Sequence, residues 1–174
     1  MNRRSLLQSM GVLLALPLLP SCSRASGPVS AADGSGIVAL TKPHEEWKGM
    51  VSDDAFDVLF EEDTERPGSS PLNDEKRTGT FVCAACRLPL FLSANKYESG
   101  TGWPSFTQPI AGHIDTRSDF KLILPRTEYH CARCGGHQGH VFNDGPRPRG
   151  ERWCNNGVAL EFVPEGQSLP PLRG

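Results

Sequence analysis

Cys131-Ala-Arg-Cys134-Gly-Gly-His137-Gln-Gly-His140-Val-Phe142, followed after a Pro/Gly-rich loop by Arg152-Trp-Cys154-Asn-Asn156, is the stretch from which the rest of the chain can be read. Cys131 and Cys134 have the two-residue gap that turns two thiolates toward one metal ion, and Cys83-Ala-Ala-Cys86 repeats it upstream. Cys83, Cys86, Cys131 and Cys134 thus supply the four sulfurs of a tetrahedral zinc site, and Gly135 and Gly136 allow the tight turn that aims backbone amides at them. The competing use of these cysteines is as two disulfides, but disulfide frameworks rarely repeat a matched CxxC pair. Four thiolates leave no open position on the metal, so the zinc is structural, one ion per chain, tying the ends of the long excursion between the pairs. Cys154 has no cysteine at ligand spacing. With His137 and His140 between it and the metal pair, it reads as a reacting thiol with acid/base partners.

Outward from this stretch, short strand candidates follow one another: 80–83, 121–124, 127–131, 140–142, 152–154 and 158–163, joined by segments rich in Gly, Pro, Asn and Asp. Before them, Ser52 is placed to cap a helix opened by Asp53 and Asp54, with Phe56, Leu59 and Phe60 on one face; Pro67-Gly68 ends the helical region. The fold class is therefore mainly β (α+β): zinc-stabilised antiparallel sheets with short N-terminal helices. One domain is expected over residues 43–163, after a flexible linker at 33–42 and before a Pro/Gly-rich tail at 164–174 with nothing to pack.

Residues 1–32 read as an address. Arg3-Arg4 ahead of the apolar run 10–19, which is short and interrupted by Pro17, resembles a twin-arginine export signal. Such a signal carries folded proteins, so the metal could be loaded before export to the bacterial periplasm. Leu19-Pro20-Ser21-Cys22 resembles a lipoprotein box, which Pro20 fits poorly; Cys22 is either removed or lipidated. The whole chain carries 18 basic and 20 acidic residues, and loss of Arg3, Arg4 and Arg24 leaves 15 basic against the same 20. An acidic surface argues against nucleic acid and anionic lipid as partners.

Within the excursion lies Glu98-Ser-Gly-Thr101-Gly-Trp103-Pro-Ser-Phe106. Together with the CxxC pairs, His137-Gln-Gly-His140-Val-Phe-Asn-Asp-Gly-Pro146 and Arg152-Trp-Cys154-Asn-Asn156, it resembles the methionine-R-sulfoxide reductases of the B type, over roughly residues 43 to 163. The resemblance implies a tent-like, zinc-stabilised β fold and reduction of the R epimer of methionine sulfoxide in proteins. It makes Cys154 the nucleophile, which attacks the sulfoxide sulfur and keeps the oxygen as a sulfenic acid. It makes His140 the closer participant at the sulfoxide oxygen, with His137 as a second substrate contact. Asn156 would orient the substrate or that histidine, although Asn156-Gly157 alone reads as a hairpin turn. Trp103 would wall the pocket for the substrate methyl group. Arg152 either lowers the thiol pKa or is an idle surface charge.

The main departure is Thr101, where many relatives carry a cysteine that resolves the sulfenic acid for thioredoxin. Without it, an external low-molecular-weight thiol or a thioredoxin-like partner must reduce Cys154 directly. Gln138, Asn155 and Gly157 stand where the family usually has an aliphatic residue, isoleucine and serine, which puts the rigidity of the surrounding loops in question. The expectation is an exported, monomeric reductase acting on oxidised proteins or peptides.

Overall fold

The computed structural model describes residues 36–120 and 125–174. Nine antiparallel strands form two sheets: β1 (Gly79–Cys83), β2 (Pro89–Leu92), β3 (Lys96–Tyr97), β4 (Ser105–Phe106), β5 (Ile114–Asp119), β6 (Arg126–Cys131), β7 (His137–Phe142), β8 (Arg152–Asn155) and β9 (Leu160–Pro164). The smaller sheet has the order β2-β1-β9 and the larger β3-β4-β8-β7-β6-β5, which confirms the mainly β, antiparallel reading. Aromatic side chains from both sheets meet between them. Phe91 of β2 stacks on Phe106 of β4 with ring centres 4.1 Å apart, and Phe81 of β1 meets the same ring edge-on at 5.0 Å. Tyr129 of β6 continues the row to Trp153 of β8 at 5.1 Å. Burial of large rings in complementary orientations is the main source of cohesion here.

Ahead of the sheets, α1 (Asp53–Phe60) begins where its cap was expected: the Ala55 N–H donates to Ser52 Oγ at 3.2 Å. Ala55, Phe56, Val58, Leu59 and Phe60 are buried, and Trp47, from a 3-10 turn at His44–Trp47, stacks on Phe60. Leu59 sits so close to the turn after Cys134 that a Cβ on Gly136 would lie 2.9 Å from its Cδ2.

Four strands were not anticipated. β3 and β4 are two residues each, too short for any period, and β2 is a near-continuous apolar run without alternation. β5 reads Ile-Asp-Thr-Arg-Ser-Asp, a polar edge strand of the kind that resists pairing with other chains. The expected strand at 121–124, like the signal peptide at 1–32, lies outside the described residues. β9 starts only at Leu160, because Gly157–Ala159 form a 3-10 turn in place of a hairpin at Asn156-Gly157.

Both chain ends of the domain pack more than expected. The Leu40 N–H donates to Arg133 O at 2.6 Å, and Ile37 and Leu40 lie against the core. The tail is not idle: the Arg173 N–H donates to Cys86 O at 3.0 Å, and its guanidinium reaches Met50 O at 2.8 Å and Glu161 Oε1 at 2.9 Å. Its composition concealed this, since one arginine supplies the donors and the prolines need only carry it there.

Candidate active site

Cys83 and Cys131 end β1 and β6, and the turns that follow carry Cys86 and Cys134, so the two sheets meet at the four sulfurs. All four lie within 4.8 Å of one another. Cys83 Sγ is 3.6 Å from Cys134 Sγ and Cys86 Sγ is 3.5 Å from Cys131 Sγ. A disulfide would need about 2.05 Å, whereas four sulfurs at 2.3 Å from a central zinc stand about 3.7 Å apart. Among the described residues every cysteine is free. The cluster fits a structural metal. Hydrogen bonding to Cys131 and burial push the Cys83 thiol well up, so a cation would have to displace its proton.

The candidate reacting centre is built on adjacent strands. In the larger sheet β8 runs between β4 and β7, and Cys154 stands directly opposite His140 on β7 and Ser105 on β4. Directly opposed residues hold their Cβ atoms about 5 Å apart, so pairing alone brings this thiol and imidazole together. β7 and β8 approach closely at Gly139, where a Cβ would lie 1.9 Å from Cys154 O. Cys154, His140, Asn156, Trp103, Phe142, Thr64 and Arg126 are among the residues lining a cavity of about 110 Å³. Cofactor pockets run to several hundred Å³, so this space takes the tip of a side chain.

Burial raises the Cys154 thiol, while the Arg152 guanidinium and the Thr101 hydroxyl pull it down. Arg152 is therefore no idle surface charge. It is buried behind Cys154, holds Asp144 through two bonds of 2.8 and 2.9 Å, and lies over the Phe142 ring. Burial lowers the His140 imidazole against a hydrogen bond that raises it, from its Nε2 to Asp119 Oδ2 at 3.0 Å. Asp119 is held in turn by Arg126 at 2.5 and 3.1 Å. His137 lies behind His140, 2% exposed, with ring centres 5.3 Å apart and Nδ1 facing Glu128, and is not among the cavity's lining residues.

Trp103 Nε1–H donates to Glu65 O at 3.2 Å, which fixes the indole as a wall. Glu65 was missed by sequence reasoning, and it organises this side of the site. Its N–H donates to Asn156 Oδ1, and its carboxylate accepts from the N–H groups of Gly157 and Val158 at 2.6 and 3.0 Å. Lying just after the helix, before Pro67-Gly68, it carries no periodic signal. Asn156 also donates to Gln138 O, so its amide is committed to backbone positioning from both ends.

Gln138 and Asn155 explain each other. The Tyr129 hydroxyl donates to Asn155 Oδ1 at 2.8 Å, Asn155 Nδ2 donates to Gln138 Oε1 at 3.3 Å, and Gln138 Nε2 reaches Cys83 Sγ at 3.5 Å. The two polar departures share one buried network that runs from the cysteine cluster to the strand bearing Cys154. Gly157 is required by packing, since a Cβ there would fall 1.9 Å from Ser70 Oγ.

Fold and site together define a class: an antiparallel β protein with a buried four-cysteine cluster and, apart from it, a cysteine facing a histidine across a small cavity. The chain belongs to the SelR domain family, whose model matches residues 51–164. It is 46% identical over 127 residues to a "Peptide methionine sulfoxide reductase MsrB" of Leptospira interrogans, covering 72% of this chain and 97% of the relative. A protein of the same name from Bradyrhizobium diazoefficiens is 47% identical, covering 72% and 91%. "Peptide methionine sulfoxide reductase B1, chloroplastic" of Arabidopsis thaliana is 37% identical over 162 residues, covering 91% and 79%.

Proposed function

We propose that this chain is a peptide-methionine (R)-S-oxide reductase, an oxidoreductase that returns methionine-R-sulfoxide in proteins to methionine, with Cys154 as nucleophile. The observation that carries the mechanism is the cavity shared by Cys154, His140 and Trp103. The Cys154 thiolate attacks the sulfoxide sulfur, forming a transient bond between the two sulfurs that breaks, together with the S–O bond, as the oxygen moves to the cysteine. The oxygen passes to Cys154 with a proton from the enzyme, giving a sulfenic acid and the thioether; the cysteine sulfur is oxidised by the two electrons that the substrate gains. His140 is placed to supply the proton, held by Asp119, and the Trp103 face receives the methyl group and so selects the epimer. The sulfenic acid is then reduced by two external thiols, which leave as a disulfide with one water. Thr101, whose hydroxyl reaches Cys154, cannot itself form the resolving disulfide.

Cys83, Cys86, Cys131 and Cys134 hold the structural Zn2+, which takes no part in these steps. The Arg3-Arg4 signal directs the protein, as a monomer, to the periplasm, where a low-molecular-weight thiol or a thioredoxin-like partner recycles it. Loss of export on replacing Arg3 and Arg4 together by lysine, read by cell fractionation, tests the location.

The activity test follows wild type and Cys154→Ser with R- and S-methionine sulfoxide peptides and dithiothreitol. Turnover of the R epimer alone, absent in the variant at unchanged zinc content, is the expected result. Equal turnover of both epimers would remove Trp103 as selector, and persistent turnover by Cys154→Ser would remove the nucleophile.

A further inference from the structure

Beside the four-cysteine cluster, a second group of side chains is buried without a role in the chemistry above. His130 on β6 pairs directly with His137 on β7, and Glu128 lies two residues before His130. His130 Nε2 is 3.1 Å from Glu128 Oε1 and His137 Nδ1 is 3.5 Å from Glu128 Oε2. The two rings are 2% exposed and the carboxylate side chain 11%.

One proton on His130 can be placed. Its Nδ1 lies 3.0 Å from Gly135 O, and a carbonyl only accepts, so Nδ1 carries hydrogen. Its Nε2 faces a carboxylate oxygen at 3.1 Å without hydrogen-bond geometry. Burying such a pair is costly unless a positive charge lies between them. The surroundings suit a metal ion. Imidazole ligands characteristically donate their other N–H to a backbone carbonyl, as His130 does to Gly135. With bonds of about 2.0–2.1 Å, the ligand atoms of a tetrahedral zinc stand about 3.3 Å apart. The two nitrogens lie 3.1 and 3.5 Å from the two oxygens of one carboxylate, and one ligand atom from each residue falls within 4.8 Å of the others, close enough for a single ion to draw them together.

We propose that Glu128, His130 and His137 form a second divalent-cation site, separate from the four cysteines. Two nitrogens and one carboxylate select a borderline ion such as Zn2+ or Co2+ over Ca2+ or Mg2+, which take oxygen ligands. The bound ion fixes the ring of His137, which packs edge-on against His140 at 5.3 Å, and so holds the histidine of the reacting cavity from behind. The site also carries a net positive charge beside the negative four-thiolate centre.

The test measures metal per chain in the full protein after incubation with Zn2+ and removal of unbound ion, for wild type and His130→Gln. The glutamine keeps a donor for Glu128 but is a poor ligand. A second equivalent of zinc in wild type, lost in His130→Gln while the cysteine-bound equivalent stays, is the expected result. Titration of the wild type, zinc-loaded at the cysteines, with Co2+ gives a check that needs no variant: one equivalent taken up with only the weak visible bands of a nitrogen/oxygen site and without thiolate charge-transfer bands. A single equivalent in wild type overturns the proposal. Retention of the second equivalent in His130→Gln overturns it equally, by placing that ion elsewhere.

Discussion

Cys154 and His140 are each shifted away from the protonation state that the proposed reaction needs. Burial holds the thiol above its ordinary range and the imidazole below its ordinary value near 6.5, so the resting pair near neutral pH is thiol and neutral ring. The reactive pair, thiolate and imidazolium, holds the same single proton. Between the two pKa values its share of the enzyme is small and independent of pH. As pH falls through the His140 pKa the thiolate is lost to a doubly protonated pair; as pH rises through the Cys154 pKa the imidazolium is lost. Single-turnover formation of methionine by pre-reduced enzyme should therefore give a flat-topped profile with a fall on each side. Arg152→Met should lower the plateau by about tenfold for each unit by which the thiol rises, and move the alkaline limb to higher pH, with Arg152→Lys restoring part of both. An unchanged plateau in Arg152→Met would show that the guanidinium serves only Asp144. That Arg152 is buried behind the thiol depends on the Asp144 pairing across the 144–152 loop, which the sequence motif alone could not show.

At the scale of elements, the register of β7 against β8 sets the site, and side chains buried beneath it keep that register. Gln138 and Asn155 belong to these neighbouring strands and are both 0% exposed. Each would be a fault taken singly at a buried position, yet each supplies the other's partner. Gln138→Leu and Asn155→Ile should each destabilise the protein by about 1–3 kcal/mol, by leaving a buried amide or the Tyr129 hydroxyl unpaired. The double variant should regain most of that loss, and urea unfolding of the four proteins measures the coupling. Additive losses would mean that the two amides do not act as a unit. Cys154 and His140 stood out by residue type and spacing and Trp103 through the family resemblance, and the structure brings all three to one cavity. The supports were not legible: Glu65, Asp119 and the Gln138–Asn155 pair act through contacts distant in sequence, and their own neighbourhoods read as a helix end, a polar edge strand and two isolated polar residues. β3 and β4 were invisible for the same reason, being made by pairing with each other and, through β4, with β8, and not by local preference.

At the scale of the whole molecule, the four-cysteine cluster is a joint between the two sheets. β1 of the small sheet and β6 of the large sheet each end in a ligand, and the tail returns to the same place through Arg173 and Cys86 O. Zinc bound at such a site contributes on the order of 10 kcal/mol to folding, comparable to the whole stability of a domain of this size. Its removal should therefore unfold the protein, even though Cys154 lies on a strand that holds none of the ligands. On titration with a strong chelator, turnover, near-ultraviolet circular dichroism and bound zinc should fall along one curve. Lowering the pH should have the same effect, because protons compete with the metal for the thiolates. Zinc loss with turnover and tertiary signal intact would show that the aromatic layer from Phe81 to Trp153 holds the sheets together without the metal.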